Sequence, residues 1–237
     1  MEENEKKEFE ENVYPKEKKW GVKLIINIIL FFVIWTLIFF TMYIYGSKTT
    51  VVCSAGKPII YLYPEEETQV SVSLGKKDNI TVSYPKYTTG WNVTAYPNGD
   101  LIDQTTGKKL YSLYYEADTY EDFRNMSEGF IVKGEDVAKF LDEKLEILGL
   151  NYKEKEEMIV YWLPKLEANK YNYIRFASID EIEKIMPLNI DPKPDTLIRV
   201  MMIFKGLDKQ VDVKEQTLNK VEREGFVAVE WGAVEIK

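Results

Sequence analysis

The hydrophobic pattern of the 237-residue chain changes character around residue 46. From Leu24 to Tyr45 (LIINIILFFVIWTLIFFTMYIY) there is no charge, and the only polar groups besides aromatic tips are Asn27 and two threonines. As a helix rising ~1.5 Å per residue, this stretch reaches roughly 33 Å, enough to cross a ~30 Å hydrocarbon core. Trp20, Tyr43 and Tyr45 stand where an interfacial aromatic belt belongs. A soluble core helix rarely runs this long without a polar face. The stretch is therefore read as a transmembrane helix, with the lipid bilayer as its partner.

Beyond it the apolar runs are short and mostly alternating. Pro58 to Tyr63 (PIIYLY) ends at Pro64, Val70, Val72 and Leu74 share one face of Thr68 to Leu74, and Ile80, Val82 and Tyr84 repeat the pattern. Trp91, Val93 and Ala95 alternate up to Pro97-Asn98-Gly99-Asp100, where Asn-Gly signals a hairpin returning through Leu101 and Ile102. A Tyr-rich strand, Leu110 to Tyr115, closes a half expected to be an antiparallel sheet with one wet face.

After Glu116 the period shifts. Val137, Phe140, Leu141, Leu145 and Leu148 lie at helical spacing within Gly134 to Leu148, with Gly149 as a left-handed cap. Met158 to Leu163 (MIVYWL) reads as a buried strand stopped by Pro164, and Tyr171 to Phe176 as the next strand. Ile179 to Met186 is expected to be a short helix, Thr196 to Phe204 a buried strand, Val213 to Glu222 a short helix and Gly225 to Ile236 a final strand. Strands followed by helices and strands without strict alternation predict an α+β fold, β-rich in its N-terminal half and mixed in its C-terminal half.

Composition narrows the chemistry. The net charge of −8 argues against a nucleic-acid partner, which calls for a basic face. Histidine is absent, which removes His-activated nucleophiles, imidazole acid–base chemistry and His-containing metal sites. Cys53 is the only cysteine, so no disulfide framework and no cysteine metal cluster can form within the chain. No metal and no cofactor is expected.

The flanks of the apolar stretch set an expected topology. Residues 1–23 form a charged, disordered tail, and Lys16, Lys18, Lys19 and Lys23 crowd the entry, against Lys48 and Lys57 after the exit. The positive-inside rule then leaves the tail cytoplasmic and places the 58–237 domain outside, after a 46–57 stalk. This is an uncleaved signal anchor in the cell membrane. Cleavage competes poorly, because the apolar core exceeds the ~7–15 residues of a signal peptide. Lipidation of Cys53 also fits poorly, because Thr50-Val51-Val52 lacks a small residue before the cysteine and the cysteine lies well beyond the apolar stretch.

Several runs carry a resemblance. KPIIYLYP (Lys57 to Pro64), YPKYTTGWNVTAYPNGDL (Tyr84 to Leu101) and GFIVKGEDVAKFLDEKLEILGLN (Gly129 to Asn151) are joined by YWLP (Tyr161 to Pro164), PDTLIRVMM (Pro194 to Met202) and GFVAVEWG (Gly225 to Gly232). Together they resemble a family of uncharacterised bacterial secreted or lipid-anchored proteins. The resemblance implies an extracytoplasmic domain on an N-terminal membrane signal, and it brings no catalytic residues with it. The chain departs from the family in carrying a full span where a lipoprotein signal would stand.

Without histidine, hydrolysis would need an Asp/Glu pair, as in glycosidases. Glu230, set in an apolar strand beside Trp231, is one candidate, and Glu157 and Glu116 are others. A structural role competes. Arg199, within TLIRVMMIF, is too costly to bury alone, and Glu230 is its expected partner, with Glu157 second. Trp91, Tyr96, Tyr111, Tyr114 and Tyr115 form a candidate binding platform for sugar or peptide, against the plainer reading of aromatic strand and core residues. The partner implied is a cell-surface carbohydrate or protein. Two function classes stand: an extracytoplasmic binding or interaction domain, and a carboxylate-dependent hydrolase of cell-surface polysaccharide or peptide.

Overall fold

The computed structural model describes residues 19–46 and 53–236; residues 1–18, residues 47–52 of the expected stalk and Lys237 lie outside the described residues. They fall into two units that part near residue 50. The first is helix α1 (Lys19–Gly46). Its stretch Lys23–Met42 is long and apolar enough to cross a membrane, and none of it is buried. A helix of this kind near the N-terminus is what a membrane span or a signal sequence requires.

The second unit is an α+β domain with thirteen strands and three helices among its described residues. Its frame is an eight-stranded mixed sheet in the order β12-β8-β9-β11-β13-β1-β7-β3. In chain order these strands are β1 (Cys53–Tyr63), β3 (Ile80–Tyr84), β7 (Leu113–Thr119), β8 (Glu128–Lys133), β9 (Tyr171–Phe176), β11 (Thr196–Leu207), β12 (Lys214–Glu215) and β13 (Val227–Glu235). A five-stranded sheet, β10-β2-β4-β5-β6, is built from β2 (Thr68–Leu74), β4 (Trp91–Ala95), β5 (Leu101–Asp103), β6 (Lys109–Leu110) and β10 (Leu188–Asp191). The strands of the N-terminal half thus divide between two sheets. β1 begins at Cys53, inside the 46–57 stretch read as a stalk.

Alternation along the central strands sorts the core into two layers. Ile60 and Leu62 of β1, Met201 and Ile203 of β11, and Ala228 and Val234 of β13 pack with the five-stranded sheet and with helix α4 (Ile179–Ile185). Their neighbours Ile59 and Tyr61, Val200 and Met202, and Val229 and Trp231 face helices α2 (Val137–Ile147) and α3 (Tyr152–Glu167) instead. The large sheet is therefore covered on both faces, which is why β11 and β13 read as apolar runs broken only by Arg199 and by Glu230 before their last residues.

The strand expected over Leu110 to Tyr115 splits at Tyr111-Ser112, its ends belonging to β6 and β7 in different sheets, and two further sequence expectations fail. MIVYWL is the middle of α3. Glu154, Met158, Trp162 and Leu166 are buried at a spacing of four while Val160 and Tyr161 are exposed, so the run is one helical stripe plus its outer face. The Asn151 side chain accepts the N–H groups of Lys153 and Glu154, and Glu154 returns a hydrogen bond to the Asn151 N–H, a capping box that starts the helix. Pro164 falls in its last turns. Val213 to Glu222 forms no helix. Lys214 and Glu215 pair parallel to β8, and the Gln216 side chain takes over the ladder by accepting from Phe176 N–H (2.9 Å) and donating to Phe176 C=O (2.8 Å).

Candidate functional site

The carboxylates proposed from sequence part company. Arg199 and Glu230 face each other in the parallel β11–β13 register, on the side of the sheet toward β2 and α4. Arg199 Nε donates to Glu230 Oε2 at 2.6 Å, Nη2 donates to the Met186 carbonyl at 2.8 Å, and Nη1 donates to Glu183. Tyr115 donates its hydroxyl to the other Glu230 oxygen at 2.7 Å. Glu230 is 1% exposed and both its oxygens are committed, so this is a closed, fully partnered core cluster. Burial, then the adjacent Glu230 charge, pushes the Tyr115 phenol well above its ordinary range.

Glu157 lies on the opposite face. There α2 and α3 cover the middle of the large sheet but leave part of β7 and β3 open. Ile59 of β1, Tyr114 of β7 and Tyr84 of β3 align across three strands and floor a cleft of about 480 Å³. Tyr161 of α3 walls it, together with Lys57 and Lys109. Tyr61 and Tyr63, further along the same face of β1, line a second cleft of about 460 Å³ with the Asn98–Gly99 hairpin, Tyr152 and Glu157. Tyr111 belongs to both. The rings of Tyr61 and Tyr63 are nearly parallel, 7° apart, with centroids separated by 6.5 Å. The Tyr61 ring also meets Tyr111 at 6.5 Å.

Each wall has a local cause. The hairpin predicted at Asn98-Gly99 closes with Gly99 N–H donating to the Tyr96 carbonyl at 2.9 Å. Gly99 sits at φ +87, and a Cβ there would lie 2.7 Å from the Tyr63 ring, so both its backbone and its closeness to the ring call for glycine. The first turn of α3 is fixed from a distance: Arg223 donates to both oxygens of fully buried Glu154, at 2.8 and 3.2 Å, with its guanidinium 5.1 Å from the Tyr63 ring centre. One turn further on, Glu157 accepts the Tyr61 hydroxyl proton at 2.8 Å. Burial, then Glu157, drives the Tyr61 phenol above its ordinary range, and the same two causes raise Tyr111.

Lys57 is the unusual member. It is the one described non-glycine residue with positive φ (54°), and the β1 register shifts there against both neighbouring strands. Its ammonium stands 4.1 Å above the Tyr161 ring and 5.8 Å from that of Trp231.

Of the aromatic platform read from sequence, Tyr111 and Tyr114 line the clefts. Trp91 is 3% exposed, packed edge-on against Tyr87 with its N–H on the Pro85 carbonyl, and Tyr115 is 1% exposed; both are core residues. Half-buried Tyr96 holds the hairpin through its backbone. Glu116 is half-buried on β7 near Tyr114. Beyond β7, Asp122 is tied to Arg124 by two side-chain hydrogen bonds, which hold its carboxyl down at about 2. Sequence reasoning missed Lys57, Tyr61, Tyr63 and Tyr161. The alternation within KPIIYLYP already puts Lys57, Ile59, Tyr61 and Tyr63 in phase, and that was the available signal.

The chain is similar to an uncharacterised protein in the bglA 3′ region of Butyrivibrio fibrisolvens, with 38% identity over 65 residues. The match covers 26% of this chain and 66% of that relative, so it spans just under two thirds of the relative's length. No protein-family model and no solved structure matches the chain.

Proposed function

We propose that this is a single-pass membrane-anchored protein whose α+β domain lies outside the cell and binds cell-surface carbohydrate through the two tyrosine-walled clefts. One observation carries the binding reading. Four large side chains left exposed by the domain, Tyr84, Tyr111, Tyr152 and Tyr161, line these adjoining clefts. Flat rings with polar tips suit sugar rings, which present an apolar face and hydroxyl edges. The full chain in detergent micelles is expected to bind cell-wall polysaccharide, and Tyr111→Ala and Tyr161→Ala should each weaken binding about three- to tenfold, the worth of one stacked ring. Unchanged affinity in both variants would remove the clefts from the account.

The outside location is supported by the lysines before the span and by the resemblance to secreted and lipid-anchored proteins. Protease added to intact cells should digest the domain and spare the tail. Protection until the membrane is broken would reverse the topology.

A second reading has its own observation: Glu157 and Asp100 line the same cleft. Lys109, then Asn98, holds the Asp100 carboxyl below its ordinary range, which suits the ionised member of a hydrolytic pair. Under this reading the wild type shortens a bound glycan on prolonged incubation and Glu157→Gln does not. Intact glycan after incubation with the wild type favours binding alone.

A further inference from the structure

The two clefts differ in charge. The Lys57 cleft is lined by Lys57 and Lys109 and by no carboxylate. The neighbouring cleft carries Glu157 and Asp100 against Lys153. In a chain with 39 acidic and 31 basic residues, a hollow whose charged lining is all cationic runs against the overall balance.

Its two lysines are not equivalent. Lys109 is exposed, and its ammonium is committed to Asp100 at 2.7 Å. Lys57 is half-buried and makes no ion pair with any described carboxylate; aromatic faces are its contacts. Arg175, Arg199 and Arg223, the arginines drawn into the domain, each touch a carboxylate, Glu181, Glu230 and Glu154 respectively. Lys57 is thus a cation withdrawn from water, on a backbone conformation that costs energy to hold, with open space beside it. The strained bulge carries its side chain to the cleft wall.

We infer that the ligand is an acidic glycan whose carboxylate or phosphate is taken by the Lys57 ammonium, while adjoining sugar rings lie over Tyr111 and offer their hydroxyls to the Glu157 cleft. This rests on the clefts being the binding site. A bound anion would supply the partner that the fold withholds from Lys57, as a charge-assisted hydrogen bond in a partly dry setting. Burial, against the pull of Glu157, holds the amine below its ordinary range, and an anion would reverse that. The Lys109–Asp100 bridge joins the walls of the two clefts, so a ligand spanning both runs from a cationic end to an acidic one.

The test is calorimetry on the full chain in micelles with three probes: oligogalacturonate, polyglycerol phosphate and a neutral galacto-oligosaccharide. At least one acidic probe should bind tenfold or more tightly than the neutral one. Lys57→Gln should abolish that preference, with acidic-probe affinity falling about ten- to a hundredfold and neutral-probe affinity falling far less. Lys57→Arg should keep most of the preference. Whichever acidic probe binds better identifies carboxylate or phosphate as the source of the charge. Should Lys57→Gln not fold, acetylation of wild-type lysines read by mass spectrometry replaces it, with Lys57 shielded by the acidic probe and not by the neutral one. Equal binding of acidic and neutral probes, an unmoved Lys57→Gln, or an unshielded Lys57 overturns the anion assignment and leaves the clefts as a neutral-sugar site. If no probe binds, the carbohydrate reading falls with it.

Discussion

At the scale of single residues, the core cluster around Arg199 gives the sharpest stability expectation. Removing one member of a buried ion pair strands the other, at about 3–5 kcal/mol. The two sides are unequal here. Arg199→Met leaves Glu230 with Tyr115 alone and also releases Glu183 and the Met186 carbonyl, whereas Glu230→Leu leaves Arg199 both of those acceptors. Arg199→Met should therefore be the costlier change, and the double variant should lose far less than the sum of the singles. Urea unfolding of the full chain in micelles, followed by tryptophan fluorescence, measures all three. Additive losses would mean the pair is not coupled. An isolated charge in an apolar run is legible in sequence because it demands a partner. Lys57 was not legible in the same way, because it stands at the start of its run, and its desolvation comes from Tyr161 and Trp231, 104 and 174 positions away by number.

At the scale of elements, α3 matters most, since its first turn positions Glu157 and its later turns carry Tyr161. Asn151→Ala removes the side-chain acceptor for Lys153 and Glu154 N–H and should cost about 1 kcal/mol, read in the same unfolding assay. Gly99→Ala should act differently. It forces a Cβ against the Tyr63 ring at a left-handed position, so the glycan binding proposed above should weaken alongside a stability loss of about 1–2 kcal/mol. Unaltered affinity in Gly99→Ala would detach the hairpin from the site. Most elements were readable because one period ruled them: α2 from spacings of three and four, and β2 and β4 from alternation. α3 was misread because its outer face, Val160 and Tyr161, is as apolar as its inner one, which turns a helical stripe into a continuous run. The segment after β11 was misread because Gln216 holds it by side-chain mimicry of a strand, which leaves no hydrophobic period behind.

At the scale of the whole molecule, phenols withdrawn wholly or partly from water set an alkaline limit. Tyr61, Tyr63, Tyr114 and Tyr115 are all raised above 10, in each case first by burial and then by a neighbouring carboxylate. A raised folded value contributes stability that is complete below the unfolded value and is lost as pH climbs beyond it. Denaturant midpoints should therefore fall steeply above pH ~10, and a flat profile from pH 9.5 to 11.5 would contradict the burial of these hydroxyls. The acid side carries the opposite sign. Burial alone would raise Glu181, but Arg175 and the Ser178 N–H outweigh it and hold it low, so its contribution is present above its ordinary value and lost as pH falls through the depressed one. The position of β13 governs how such a domain can be made. Lying between β11 and β1, it joins the two flanks of the large sheet, yet the ribosome delivers it after all twelve other strands. Until then β1 and β11 each present a long, apolar, unpaired edge, the kind of surface that recruits strands from other chains. On the topology proposed above, the nascent domain would hold two half-sheets in need of shelter until β13 arrives. Shortening the chain before Val227 should then yield aggregate rather than a smaller folded domain.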